Sequence, residues 1–160
     1  MAVGGVVLAV PVLLRVRRYR RMFSEGHFRE VYERFAKAVR TVTEERAARG
    51  GEIVAKDAFV TSAQMAVAVT SSLAGDRHVL HVSLGQTSGY TTSAVANRFG
   101  FFLVTMLNQN KMELDLFVTP SRIHHLVFTS DTGDLRVADF AAVDERYRRA
   151  YRPLPYRGAD

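Results

Sequence analysis

The stretch Val79–Lys111 constrains the fold most, because its hydrophobic pattern changes period in the middle. It opens with the strand-like residues 79–84, and a polar loop over 85–90 follows them. From Thr91 to about Asn110 the apolar side chains recur at helical spacing and cover more than one face of the predicted helix. We therefore expect this central helix to be buried, with a sheet on one side and other elements on another.

The regions on either side of this stretch carry simpler amphipathic patterns. Helical periodicity predicts two further helices, at about Glu25–Ala48 with Ser24 as N-cap, and at Phe140–Tyr151 with Asp139 as N-cap. Apolar alternation predicts strands at Glu52–Val60, Gln64–Thr70, Met112–Val118, Ile123–Thr129 and 135–137. Turn residues between successive strands indicate hairpins.

These elements predict an α+β fold. Its single antiparallel sheet has about four to six strands built from hairpins, is crossed by the buried central helix, and is flanked by N- and C-terminal amphipathic helices. We assign residues 1–22 to an apolar anchor with an arginine cluster, 23–152 to one domain, and 153–160 to an extended tail. The order of elements is similar to that of roadblock or longin scaffold domains and of secretion-chaperone domains, without a shared motif, which implies nothing about function.

An uncharged run, Ala2–Leu14, precedes a cluster of arginines: Arg15, Arg17, Arg18, Arg20 and Arg21. Positive charge after an apolar run, rather than before it, favours a retained anchor whose C-terminal side faces the cytoplasm or a matrix-like compartment. The thirteen residues of the run would extend about 20 Å as a helix, shorter than a hydrocarbon core of about 30 Å. An N-terminal strand or buried segment, and a removed targeting segment, are the alternative interpretations.

The net charge of +6 is uneven along the chain. Residues 15–49 carry +6 and 140–160 carry +2, whereas 50–139 carry −2. A basic face for an anionic partner would therefore be built from the two ends of the chain. The absence of cysteine excludes a disulfide framework, a thiolate nucleophile and cysteine-ligated zinc.

The loop between the central strand and the central helix is the predicted ligand site. Backbone N–H groups and hydroxyls at the start of a helix suit an anion, and the residues concerned are Gly85, Thr87, Ser88, Gly89, Thr91, Thr92 and Ser93. The loop lacks the lysine of a phosphate-binding loop, and its glycine spacing matches no nucleotide fingerprint. Helix capping is the alternative role for these hydroxyls.

Histidines supply a weaker candidate for a metal site. His81 could join His124 or His125, with Glu113 or Asp115, if their strands are neighbours in the sheet. Ordinary hydrogen-bonded histidines are the competing interpretation. No Gly-x-Ser-x-Gly elbow supports a hydrolase built from Ser83 or Ser88, a histidine and Asp115.

The sequence therefore favours a non-catalytic, membrane-associated interaction or assembly subunit anchored by its N-terminus. We expect other protein subunits and anionic headgroups as its partners, no cofactor, and a domain on the cytoplasmic or matrix-like side. The alternative is a domain that binds an anionic small ligand, or acts as an enzyme, at the Gly85–Ser93 loop. A third hypothesis is arginine-mediated association with nucleic acid. The sequence sets no oligomeric state.

Overall fold

A computed structural model of the chain describes residues 13, 17, 20–49, 55–86, 93–107, 113–118, 124–130 and 136–150. Within these ranges, the burial of side chains is described except at residues 86, 93–97, 113–118, 124 and 125. The helices, numbered here in chain order, are α1 (Glu25–Ala48), α2 (Ser93–Leu107) and α3 (Phe140–Ala150). The strands are β1 (Ala55–Val60), β2 (Met65–Ala74), β3 (Arg77–Gln86), β4 (Glu113–Val118) and β5 (His124–Ser130).

The fold is α+β with one antiparallel sheet, as the sequence predicts. The five strands lie in the order β1-β2-β3-β5-β4. The first three form a meander in which Val67 pairs with Phe59 on one side and Leu84 on the other. The second hairpin consists of β4 and β5. Its strand β5 pairs with β3, with Val82 opposite Leu126. Since β4 pairs only with β5, it forms an edge of the sheet.

One face of the sheet holds the hydrophobic core. In β2 the side chains alternate between buried and half-buried up to Ser72, as expected for a strand with one covered face. Residues of α1 and α2 pack on this face. Met22, which precedes α1, is also part of the core and is fully buried. The largest fully buried side chains include Phe35, Phe99, Phe102, Phe128, Met65, Leu80, Leu84 and Leu103.

The ends of α1 and α3 follow the predicted capping. The Ser24 hydroxyl accepts a hydrogen bond from the His27 backbone N–H at 3.3 Å, and Asp139 accepts one from Ala141 at 2.8 Å. Both contacts satisfy N–H groups that a helix start leaves unpaired. Helix α1 ends at Ala48, with Arg49 as C-cap.

Three expectations about the elements are corrected. The strand expected at 135–137 is absent from its described part, residues 136 and 137, since 136–139 has no regular secondary structure and leads into α3. The β2–β3 hairpin is longer than predicted, and its turn is Gly75–Asp76, where Gly75 has φ +66°. Helix α2 is not buried all round in its described part, since Phe101 is 36% exposed.

Glu30 on α1 fastens the β1–β2 turn to the helix. Its carboxylate accepts hydrogen bonds from the Ser62 backbone N–H at 2.8 Å and from the Ser62 hydroxyl. We expect Glu30→Ala to lower the free energy of unfolding by about 1–2 kcal/mol, because two charge-assisted hydrogen bonds are lost. Urea unfolding measures this, with Glu33→Ala, an exposed acid on the same helix, as the control. Equal losses in the two variants would contradict the role given to Glu30.

Candidate functional site

Exposed arginines precede α1. Arg17, Arg20 and Arg21 are all exposed, and none of the three has a carboxylate partner among the residues that the structure describes. Arg21 is held close to the start of α1, because its carbonyl accepts a hydrogen bond from the Ser24 hydroxyl at 2.7 Å. Arg15 and Arg18 lie outside the described residues, and binding of this cluster to an anionic surface stays a prediction.

A second group of arginines lies on α3 and meets the same end of α1. Arg146, Arg148 and Arg149 are exposed. Arg148 lies 3.6 Å from the Glu25 carboxylate at the first turn of α1, and the Tyr147 ring lies 5.3 Å from the Phe28 ring. These contacts place Arg148 at the start of α1, which directly follows the N-terminal arginines, although more than 120 residues separate Arg148 from them in sequence.

An aromatic cluster beneath these arginines holds the three helices together. The Phe99 ring of α2 stacks on Phe28 at 4.9 Å between centroids and on Phe23 at 6.4 Å. Arg98 adds a further positive charge, with its guanidinium carbon 4.6 Å from the centre of the Phe23 ring. Such a cation–π contact stabilises by about 0.5–1 kcal/mol at an exposed position. The cluster thus fixes the position of the charges above it.

We call this end of the molecule the basic surface, made of the following seven arginines: Arg17, Arg20, Arg21, Arg98, Arg146, Arg148 and Arg149. The carboxylates paired within it are Glu25, Asp144 and Glu145, so positive charge is in excess. Exposed apolar side chains lie on the same elements, with Leu13 59% and Phe101 36% exposed. Guanidinium groups beside apolar side chains suit a surface that presents phosphates next to hydrocarbon.

The predicted loop site lies mostly outside the described residues. Gly85 is half-buried in β3, and Ser93 is the first residue of α2. Thr87, Ser88, Gly89, Thr91 and Thr92 lie outside the described residues. Anion binding at this loop therefore stays a prediction.

The histidine strands β3 and β5 are neighbours, as the metal hypothesis requires, but the register pairs His81 with neither His124 nor His125. His81 pairs with Val127, while Ser83 pairs with His125 and Leu84 with His124. Alternation then places His81 and His125 at diagonal positions on one face of the sheet and His124 on the other. Within the described ranges, no group of three His, Asp or Glu side chains could hold a metal ion.

Two buried polar residues of α1 escaped the sequence analysis. His27 and Arg46 are 3% and 4% exposed. His27 lies four residues before Val31, and Arg46 lies four residues after Val42, so both continue the apolar stripe of the helix. The four-residue spacing could have predicted this, because a polar residue on the same helix face as the apolar stripe is buried together with it.

The described residues contain no helix that is both long and apolar enough to cross a membrane. The apolar run Ala2–Leu14 lies outside the described residues except for Leu13. Comparison with models of known protein families, with curated proteins and with solved structures found no match for this chain.

Proposed function

We propose that this protein is a non-catalytic interaction subunit that attaches to an anionic membrane surface through its N-terminal apolar run and its basic surface. The observation that carries the proposal is the contact of α3 with the start of α1 through Arg148–Glu25 and Tyr147–Phe28. It adds the arginines of the C-terminal helix to those that directly follow the apolar run. Since the apolar run directly precedes the N-terminal arginines in sequence, the proposed attachment would use both features that hold proteins at membranes.

The energetics favour a combined attachment. A basic side chain close to an anionic leaflet contributes about 1 kcal/mol. Arg17, Arg20 and Arg21, which have no carboxylate partner in the described part of the chain, would together contribute about 3 kcal/mol. Attraction of this kind is screened by salt, with a Debye length of about 8 Å at physiological ionic strength. Insertion of the apolar run is not screened in this way. Together the two signals give an attachment that neither gives alone.

The sheet offers a surface for the protein partners of the proposal. On the face opposite the core, the side chains of β2 are small and half-buried at Ala66, Ala68 and Thr70. Ala68 pairs with Ala58 of β1 on one side and with Ser83 of β3 on the other. A row of small side chains lets another element approach the strands closely. Attachment of the basic surface to a membrane would leave this face available.

Flotation of the full-length protein with lipid vesicles tests the attachment. We expect binding to vesicles that contain anionic phosphatidylglycerol, and at least tenfold weaker binding by the variant Arg17→Glu/Arg20→Glu/Arg21→Glu. The matched control is Lys37→Glu/Arg40→Glu/Lys56→Glu, which makes the same change in net charge at exposed residues away from the basic surface. The control should bind as the unchanged protein does.

Two further measurements separate the contributions. Val7→Asp/Leu8→Asp interrupts the apolar run, so the binding that remains should fall steeply as salt rises. An unlabelled single-stranded RNA oligonucleotide, added as a competitor, checks whether phosphodiesters are the preferred ligand. Binding to anionic vesicles that is equal in the charge-reversal variant and its control, or stronger binding to RNA than to vesicles, would contradict the proposal.

A further inference from the structure

Arg46 is a buried cation that has no carboxylate partner among the residues that the structure describes. It lies in the last turn of α1 and is 4% exposed. Within the part of the chain that the structure describes, its guanidinium donates a hydrogen bond to the Ser72 carbonyl at 3.5 Å and forms no ion pair. Burial lowers the pKa of Arg46. A buried charge with one long hydrogen bond is costly unless something else compensates it.

Three more polar atoms near Arg46 are buried and have no hydrogen-bond partner within the described protein: Thr43 Oγ1, Ser71 Oγ and His78 Nδ1. Ser71 is fully buried, and the adjacent Ser72 is the residue that Arg46 contacts. Thr43 is three residues from Arg46 on the same face of α1. His78 lies close enough that burial and the Arg46 charge, in that order, lower its pKa.

These four residues converge because the end of α1 lies over the ends of β2 and β3. Ser71 pairs with Leu80, whose side chain is fully buried, so Ser71 lies on the core face of the sheet. His78 lies two positions from Leu80 on β3 and pairs with Leu73, so it also lies on the core face. The apolar core thus ends in a polar cluster, which we call the Arg46 cluster: Thr43, Arg46, Ser71 and His78.

We propose that the Arg46 cluster binds a small oxyanion of the phosphate or carboxylate class. The guanidinium supplies the compensating positive charge and a planar fork of donors. The two hydroxyls can donate as well, and His78 Nδ1 can donate in the tautomer that carries its proton there. An oxyanion would accept from these donors and neutralise the guanidinium, whereas a cation would be repelled by the Arg46 charge.

The Arg46 cluster lies near the surface of the domain and is independent of the basic surface. Thr43, Ser72 and His78 are half-buried, and the neighbouring Leu73 is 37% exposed, so a small anion would enter beside the β2–β3 turn. Arg46 is 21 positions beyond Glu25 on α1, which at 1.5 Å per residue is about 30 Å. A failure of membrane attachment would therefore leave this proposal standing.

The test is the thermal unfolding midpoint of the full-length protein at pH 7.5 in a series of inorganic phosphate concentrations, with chloride keeping the ionic strength constant. A ligand that binds the folded state alone raises the midpoint in a saturable way. We expect such a rise between zero and 20 mM phosphate. A parallel series with acetate distinguishes a phosphoryl ligand from a carboxylate ligand.

Arg46→Met keeps the length of the side chain and removes its charge, and Arg40→Met is the control on the same helix, where Arg40 is exposed. We expect Arg46→Met to abolish the phosphate or acetate response and to raise the midpoint in chloride alone, because the buried charge is gone. Arg40→Met should keep the response. Midpoints of the unchanged protein that respond to neither anion, or a response that persists in Arg46→Met, would overturn the proposal.

Discussion

Phe99→Ala is expected to lower the free energy of unfolding by about 3–5 kcal/mol, the range found when a fully buried phenylalanine is truncated. Phe99 is fully buried, and its ring contacts Phe23, Phe28 and His27, the last at 5.5 Å between centroids. Truncation leaves a cavity at the place where α2 meets the start of α1. Since small domains are stable by only about 5–15 kcal/mol, the variant should be close to unfolding at 37 °C.

Phe101→Ala is the matched control, because Phe101 is two residues away on the same helix and 36% exposed. Its ring contacts Tyr147 at 6.0 Å, so we expect a loss of about 1 kcal/mol or less. Urea unfolding followed by far-UV circular dichroism measures both variants. A loss for Phe99→Ala as small as that for Phe101→Ala would show that the aromatic cluster does not hold α2 to α1.

Acidification from pH 7.5 to 5.5 is expected to destabilise the protein through His27. The ring nitrogen Nδ1 lies 2.6 Å from the Met22 carbonyl and must donate to it. Nε2 lies 2.8 Å from the Thr61 hydroxyl, which already accepts the Met65 N–H. In the neutral ring with its proton on Nδ1, Nε2 accepts a hydrogen bond from the Thr61 hydroxyl, and all of these hydrogen bonds are satisfied. A proton on Nε2 would remove the acceptor of the Thr61 O–H and place a charge in a buried site.

Burial lowers the pKa of His27, against smaller opposing effects of the Met22 carbonyl and Glu30. Above a pH of about 6.5 both the folded and the unfolded histidine are neutral, so stability does not depend on this group. Below it the unfolded chain takes up a proton and the folded protein does not, so the free energy of unfolding falls as pH falls. One histidine that stays neutral contributes at most about 1.4 kcal/mol of loss at pH 5.5.

Urea unfolding at pH 7.5, 6.5 and 5.5 tests this expectation. His27→Leu should flatten the profile, with a remainder from His78, whose pKa is also lowered, by burial and by Arg46. His81→Gln changes an exposed histidine of β3 and serves as the control that should keep the original profile. A profile for His27→Leu as steep as that of the unchanged protein would contradict a neutral, hydrogen-bonded His27.

Most elements follow from local patterns, but the join between the two hairpins does not. Periodicity identifies the long helix, the strands and the caps because each depends on neighbours in sequence. The choice of β5 rather than β4 as the neighbour of β3 depends on contacts between distant residues. A weak signal exists in β4, where Glu113 and Asp115 alternate with apolar residues, since charged residues suit an edge strand.

The basic surface was predictable in its parts but not as a whole. Both arginine clusters are visible in the sequence, yet their meeting depends on the Arg148–Glu25 contact and on the packing of Tyr147 against Phe28. The Arg46 cluster could not be assembled from the sequence either. Its members come from α1, β2 and β3, and Ser71 and His78 look like ordinary strand residues until the register places them on the core face.

The strand order leaves one edge of β3 unpaired while the protein is being synthesised. The first three strands and α1 are synthesised first, and the outer edge of β3 is completed only by β5, which ends at Ser130. About 46 residues separate Leu84 from Ser130, and at roughly 5–20 residues per second their synthesis takes about 2–9 s. During that interval the nascent chain carries an unpaired strand rich in valine and leucine, so early capture by a chaperone would protect it from pairing with another chain.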